Sequence, residues 1–343
     1  MDLDGANSLR WRPRSGDFYE VWFLTLNSIS TGTGAWLRYV LQASDEAPDG
    51  AWLELWATVF GAGLDGESLG LMRRLSLDSL EAKARPFAIR MGEAEIRNGA
   101  ARGELTGGGH SISWDLEFDT GGSPFLHFPE ELYGEGRLPG AVLAPHLNTR
   151  VRGTLTVDER TIELVDDPGQ QSHVWGRKHP PHSCWAHCSY FVGQPDAEMQ
   201  LLCIPESDDA LEPPPTHVVY VRRGDEEIRL LSVLDDSISR HDVGSGRWSF
   251  DFRGDRVRVV GEIQGDPAQL VEAEYEEPDG AAYWVVHHDL CDSQVEVSKR
   301  SRVEEDWTPV FTLRSQGTTH CEWGDWAPHT GIENHVWRGQ RPE

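Results

Sequence analysis

Residues 169–191 read GQQSHVWGRKHPPHSCWAHCSYF. The stretch lies close to the midpoint of a 343-residue chain. It gathers His173, His179, His182, His187, Cys184, Cys188, Trp175 and Trp185, side chains able to titrate, ligate or stack. The segments on either side are short, apolar and often alternating, the texture of β-sheet. The reading that follows is two all-β domains, 1–168 and 169–343, meeting at this stretch, with a functional cavity beside it.

Before the stretch, residues 18–27 (FYEVWFLTLN), 35–43 (AWLRYVLQA) and 51–60 (AWLELWATVF) are apolar, aromatic and β-branched, as buried strands are. Pro48, Asp49 and Gly50 supply turn chemistry between the last two. Residues 110–118 (HSISWDLEF) place Ile112, Trp114, Leu116 and Phe118 on one face of a half-buried antiparallel strand. Residues 120–144 read as a long loop, and 150–157 with 161–165 as a hairpin turning at Asp158 and Glu159. After the stretch, 206–215 read as an acidic, Pro-rich loop. Strands are expected at 198–204, 217–222, 228–234, 247–252, 256–262, 270–274, 283–290 and 293–301, the spacing of a barrel or sandwich. Residues 319–337 read as irregular. Trp175-Gly176 and Trp323-Gly324 form a faint internal echo.

Composition narrows the function. The net charge is −26, from 57 acidic against 31 basic residues, which disfavours nucleic acid and anionic membrane surfaces as partners. At long range it repels anions, so a neutral or apolar small molecule is the expected ligand. Fourteen tryptophans suit thick cores or the walls of a pocket for a large apolar ligand. Five cysteines, all late in the chain, make a poor disulfide framework. No apolar run approaches the ~20 residues of a membrane span, and no signal-peptide pattern opens the chain. A cytoplasmic, reduced protein is the default expectation.

The central stretch admits three chemistries. Its His and Cys residues suit zinc by type, but no Cys-x-x-Cys occurs. On a strand, Cys184 and Cys188 face away from His187, so no metal is expected. The same alternation separates Cys188 from its neighbour His187 as a nucleophilic pair, and a cysteine without an activating environment is an inert core residue. Acid–base work in an apolar cavity remains. His173 and His187 are the candidate proton donors, and Trp175, Trp185, Gly176 and Trp22 the candidate ligand-binding residues. Gly176 would allow a sharp loop or a close approach. On this reading His173→Ala abolishes turnover or ligand retention at little cost in stability.

The motifs resemble a known superfamily. His173-Val174-Trp175-Gly176, the strand Cys184-Trp185-Ala186-His187-Cys188-Ser189-Tyr190-Phe191, Glu20-Val21-Trp22-Phe23 and the Ser-Trp-Asp-Leu of residues 113–116 occur in the order found in the two-domain lipocalin-like group. That group includes tocopherol cyclase, carotenoid 1,2-hydratase (hydroxyneurosporene synthase) and AttH-type proteins. Val174 and Ser189 stand where Asn is common in the group, and no acidic proton donor carries over. The resemblance implies two antiparallel lipocalin-like (calycin-type) β-barrels or curved sheets packed side by side, and an apolar ligand. The expected function is a cyclase- or hydratase-like enzyme acting by protonation on an isoprenoid or polycyclic substrate, without a redox or other cofactor. The alternatives are a non-catalytic carrier of a lipid or pigment, or an interaction protein whose cavity has closed.

Overall fold

The computed structural model describes residues 1–13, 16–45, 50–61, 66–134, 138, 140–204, 215–244 and 246–338. The acidic loop expected at 206–215 lies almost wholly outside the described residues, as do Pro48 and Asp49 of the expected turn. Two compact units emerge: Met1–His179 with Glu274–Tyr283 and His335–Glu343, and Pro180–Ala273 with Trp284–Asn334. Both are built of β-strands, with helix confined to short turns such as α1 (Leu3–Asn7).

The first unit begins with α1 and a meander of β1 (Phe18–Ser28), β2 (Thr33–Ala43), β3 (Ala51–Phe60) and β4 (Leu69–Ser76). A second meander follows: β5 (Leu80–Ala84), β6 (Phe87–Met91), β7 (Ala94–Arg97), β8 (Ala100–Gly107) and β9 (His110–Phe118). The two-residue β10 (Phe125–Leu126) leads to a long hairpin, β11 (Gly140–Val157) and β12 (Arg160–Gly176). The sheet order is β4-β3-β2-β1-β12-β11-β9-β8-β7-β6-β5, so the hairpin joins the two meanders. The neighbours are antiparallel; Trp337–Arg338 adds a short parallel edge on β4.

This sheet curls strongly around one apolar core. Trp22, Leu37, Leu55, Phe87, Ile89, Trp114 and Leu155, drawn from both meanders, share a single buried cluster. Trp114 on β9 donates from Nε1 to the Tyr39 hydroxyl of β2 at 2.9 Å, and that hydroxyl lies 3.0 Å from the Glu95 and Arg102 carbonyl oxygens. Strands far apart in the sheet order therefore touch, which requires strong curl.

The second sheet comprises β13 (His182–Cys188), β14 (Ala197–Ile204), β15 (Thr216–Arg223), β16 (Glu226–Leu231), β17 (Ile238–Gly244), β18 (Arg247–Arg253), β19 (Val257–Gln264), β20 (Val271–Glu276), β21 (Ala282–Lys299) and β22 (Thr308–Asp325), all in the second unit except the end of β20 and the start of β21, which fall in Glu274–Tyr283 of the first. Its order is β16-β15-β14-β13-β22-β21-β19-β18-β17. Each sheet thus has one plan: an opening four-strand meander whose first strand pairs with the last strand of a long hairpin. Trp175-Gly176 and Trp323-Gly324 fall near the ends of the matching strands β12 and β22.

Several expectations are corrected. Residues 169–176 are the end of β12, paired along β1, and not a sharp loop. Residue 169 therefore lies mid-strand. The segment 120–144 is loop only in part: β10 and the start of β11 fall within it, because the apolar run from Gly140 can pair once past its prolines. The strands expected at 283–290 and 293–301 are one strand, Ala282–Lys299. Residues 319–325 belong to β22; their buried stretch from Thr318 to Cys321 shows no alternation to read.

Burial also sets an acid limit on stability. His146 on β11 is enclosed, and desolvation pushes its pKa down to about 4, so it is neutral in the fold. Unfolded, it titrates near the ordinary value of 6.5. Between pH 6.5 and 4 the unfolded chain therefore binds a proton that the folded chain refuses, and stability falls as pH falls. The loss reaches about 3 kcal/mol at pH 4 from this group alone. Urea midpoints measured from pH 7 to 4 are expected to decline, and less steeply in His146→Phe; equal slopes in the two proteins contradict the assignment.

Candidate functional site

The expected site residues fall into two groups. His173 on β12 sits opposite Trp22 on β1, and the rings stack at 4.8 Å. His173 Nδ1 lies 2.7 Å from the Ala6 carbonyl oxygen, which only accepts, so Nδ1 carries a hydrogen. Nε2 lies 2.9 Å from Glu20 Oε1. Glu20 also accepts from the backbone N–H of Arg10 at 2.7 Å and of Trp11 at 2.8 Å. Trp22 Nε1 donates to the Asn7 carbonyl oxygen, and Gln171 Nε2 to Asn7 Oδ1. His173, Glu20 and Trp22 are fully buried. Both nitrogens of His173 are engaged, and the group fastens the first 11 residues to the sheet. Trp175 is half-buried, tilted against His173 and covered by the Arg10 guanidinium at 4.9 Å.

Trp185 and His187 belong to the second unit. On β13, Cys184, Ala186 and Cys188 enter the apolar core, so Trp185 and His187 occupy the other face, also buried. His187 pairs directly with His320 on β22, rings 6.2 Å apart, and His320 Nδ1 lies 3.3 Å from Asp289 Oδ2. All five cysteines are free and buried. Burial pushes the Cys184 thiol up to about 12 and the others upward, which leaves no thiolate for nucleophilic work. Among the described residues no cluster of three or more His, Cys, Asp or Glu is set to hold a metal.

The arrangement best suited to chemistry lies just beyond Gly176, in the first unit. Gly176 is where Tyr19 passes: a Cβ there would meet the Tyr19 hydroxyl at 2.9 Å and Cζ at 3.0 Å, so a glycine is needed for the close approach. Tyr19 stacks on His179 at 4.4 Å, and Tyr283 stacks on His179 at 4.9 Å. Glu277 fixes this imidazole. Its Oε2 accepts the His179 backbone N–H at 3.0 Å, and its Oε1 accepts Nδ1–H at 2.5 Å. The Glu277 side chain is 1% exposed and that of His179 is 16% exposed, so the ring is reachable while its carboxylate is not. Among the described residues nothing bonds Nε2. A tight turn carries Glu277: Glu277 N–H donates to the Ala281 carbonyl and Gly280 N–H to the Glu277 carbonyl. Lys178 Nζ reaches Asp279 of the same turn at 2.6 Å. Burial, then the Glu277 charge, raises the Tyr19 phenol above its ordinary value, so it stays protonated.

Beside the dyad is an aromatic box. Tyr275 is 5.8 Å from His179 and stands over Arg38, whose guanidinium lies 3.8 Å from the Tyr275 ring centre. Trp36 and Trp56 flank the same guanidinium at 5.5 and 5.8 Å. Glu54 binds Trp52 Nε1, Trp56 Nε1 and Arg74, and Arg74 also bridges to Glu276.

Sequence reasoning placed His179 in the central stretch without assigning it a role, and missed Glu277, Tyr19, Tyr275, Tyr283 and Arg38. Arg38 carried a signal: a charge in the middle of the apolar run AWLRYVLQA. Glu277, in a polar turn, carried none.

No family model matches the chain. Two proteins of Mycobacterium tuberculosis, the uncharacterized MT0513 of strain CDC 1551 / Oshkosh and Rv0493c of strain H37Rv, are each 26% identical over 319 residues, 92% of this chain and 88% of theirs. A solved structure from Nitrosomonas europaea, provisionally named an AttH, superposes with a TM-score of 0.56 at 11% identity, covering 95% of this chain and all of the other. The fold is AttH-like across nearly the whole chain. No helix among the described residues is long and apolar enough to cross a membrane.

Proposed function

We propose that the chain is a cofactor-independent enzyme of the cyclase or hydratase kind, adding a proton to an isoprenoid or polycyclic apolar substrate. The observation that carries this reading is His179, held by Glu277 at Nδ1, open at Nε2 and stacked between Tyr19 and Tyr283. A carboxylate behind Nδ1 fixes the tautomer and supports the imidazolium, leaving Nε2 to give or take a proton. Nε2–H would protonate a polarised double bond. The faces of Tyr19, Tyr283 and Tyr275 would stabilise the cation that forms. Attack by a substrate hydroxyl closes a ring, and attack by water adds a hydroxyl; in either case the oxygen's lost proton returns to Nε2, so atoms and charge balance.

The proton donor in this reading is His179. His173 acts on stability through the N-terminal segment; Trp185, read as ligand-binding, and His187, read as a proton donor, lie in the second unit, apart from this dyad. Five buried free thiols fit a reducing, cytoplasmic setting.

A non-catalytic carrier of a lipid or pigment is the second reading. It is favoured by the weakness of imidazolium as an acid toward an unactivated alkene. Protein purified from its own host and examined by native mass spectrometry is expected to hold an apolar ligand. Incubating that ligand with fresh protein should yield an isomer or a water adduct. A ligand recovered unchanged leaves the carrier reading; protein that holds none counts against both.

A further inference from the structure

Arg38 is 4% exposed in the middle of β2, yet among the described residues it makes no hydrogen bond and no ion pair. The nearby carboxylates are engaged elsewhere: Glu54 and Glu276 by Arg74, and Glu277 by His179. A buried cation without a counter-charge is costly. Stacking on Tyr275, Trp36 and Trp56 offsets only part of that cost. The same face of the sheet carries further buried polar atoms without a protein partner among the described residues. Ser172 Oγ lies in Arg38's own cross-strand row, which runs Trp56, Arg38, Phe23, Ser172. Thr58 Oγ1 and Thr25 Oγ1 lie in the next row, on either side of Trp36. These groups share one face, and each has hydrogen-bonding capacity that the fold leaves unused.

We infer that Arg38 anchors a carboxylate head group, so that the substrate is an isoprenoid or polycyclic acid and not a neutral hydrocarbon. The inference rests on the proposed function and names its substrate class. The guanidinium fork matches a carboxylate in two parallel hydrogen bonds. Trp36, Trp56 and Tyr275 pack the carbon skeleton, and Tyr275 is shared with His179, so the body of the ligand passes the proton donor. A neutral carbonyl would fill the donors but leave the charge. The chemistry needs that charge removed, because an uncompensated guanidinium opposes a cation forming nearby, and a bound carboxylate cancels it. The net charge of −26 acts on approach, screened beyond about 8 Å in 0.15 M salt; Arg38 acts on contact.

The test uses two isoprenoids that differ in the head group, retinoic acid and retinol, titrated into the full chain with tryptophan fluorescence as readout. Wild type is expected to bind retinoic acid at least about tenfold more tightly than retinol, the lower end for a charge-assisted pair. Arg38→Met should lose that preference while retaining retinol. Its melting temperature should hold or rise, since an apolar side chain replaces an uncompensated charge. Arg38→Lys keeps the charge without the fork and should fall between. Equal binding of acid and alcohol to wild type, or undiminished acid binding by Arg38→Met, overturns the anchor and leaves the apolar-ligand reading standing. Failure to bind either retinoid overturns the anchor and counts against the apolar-ligand reading as well. A fall in the Arg38→Met melting temperature with the acid preference intact makes Arg38 a packing residue and also overturns it.

Discussion

Glu20→Ala is expected to cost about 3–5 kcal/mol, the range for removing one partner of a buried ionic pair. Three donors lose their acceptor together: His173 Nε2 and the backbone N–H groups of Arg10 and Trp11. The N-terminal segment has other ties, including Asp4 to the Phe87 N–H and Asn98, so the fold is expected to survive with that segment loosened. Trypsin should then cut after Arg10, before Trp11, at concentrations that leave the wild type whole. His173→Ala should act alike, and the double variant should cost little more than either alone, because both remove one network. Ligand retention should persist in each. Loss of ligand with an unchanged melting temperature would return His173 to the role first read for it in the sequence.

The second large effect belongs to His179. His179→Gln keeps a polar side chain of similar reach but cannot carry a proton, and a positioned general acid contributes about 10²- to 10⁴-fold in rate. Turnover should drop by that factor with ligand retention intact, since the box around Arg38 is untouched. Glu277→Gln should cost less: its one amide oxygen can still accept from Nδ1–H, although the His179 backbone N–H loses its acceptor and the imidazolium its supporting charge. A similar fall in rate for Trp56→Ala, accompanied by loss of ligand, would mark binding; a fall without loss of ligand is expected only at the dyad.

The strands were legible where one face is wet. Residues 110–118 alternate because Ile112, Trp114, Leu116 and Phe118 enter the core while His110, Asp115 and Glu117 face water. The continuous apolar runs of β1, β2 and β3 announced burial on both faces, which the structure bears out. Their polar members Arg38, Glu54 and Thr58 mark the face turned away from the core, a distinction visible only once register pairs them. The same double burial hid Thr318 to Cys321. The site was half legible. Gly176 was singled out for close approach, and the approaching group is Tyr19. His173 was singled out for its place before Trp175-Gly176, but nothing local foretold that Ala6 and Glu20, 167 and 153 residues away, would take both its nitrogens. The dyad joins His179 to Glu277 across 98 residues, a pairing set by tertiary folding that no spacing rule reaches.

The most direct test of the dyad as proton donor is isotopic. The ligand extracted from host-purified protein is incubated with fresh protein in D2O, and the product is examined by mass spectrometry. Wild type is expected to place one carbon-bound deuterium in the product, delivered from His179 Nε2, and His179→Gln to place none above background. Deuterium incorporated equally by His179→Gln, or a wild-type product without carbon-bound deuterium, contradicts the account.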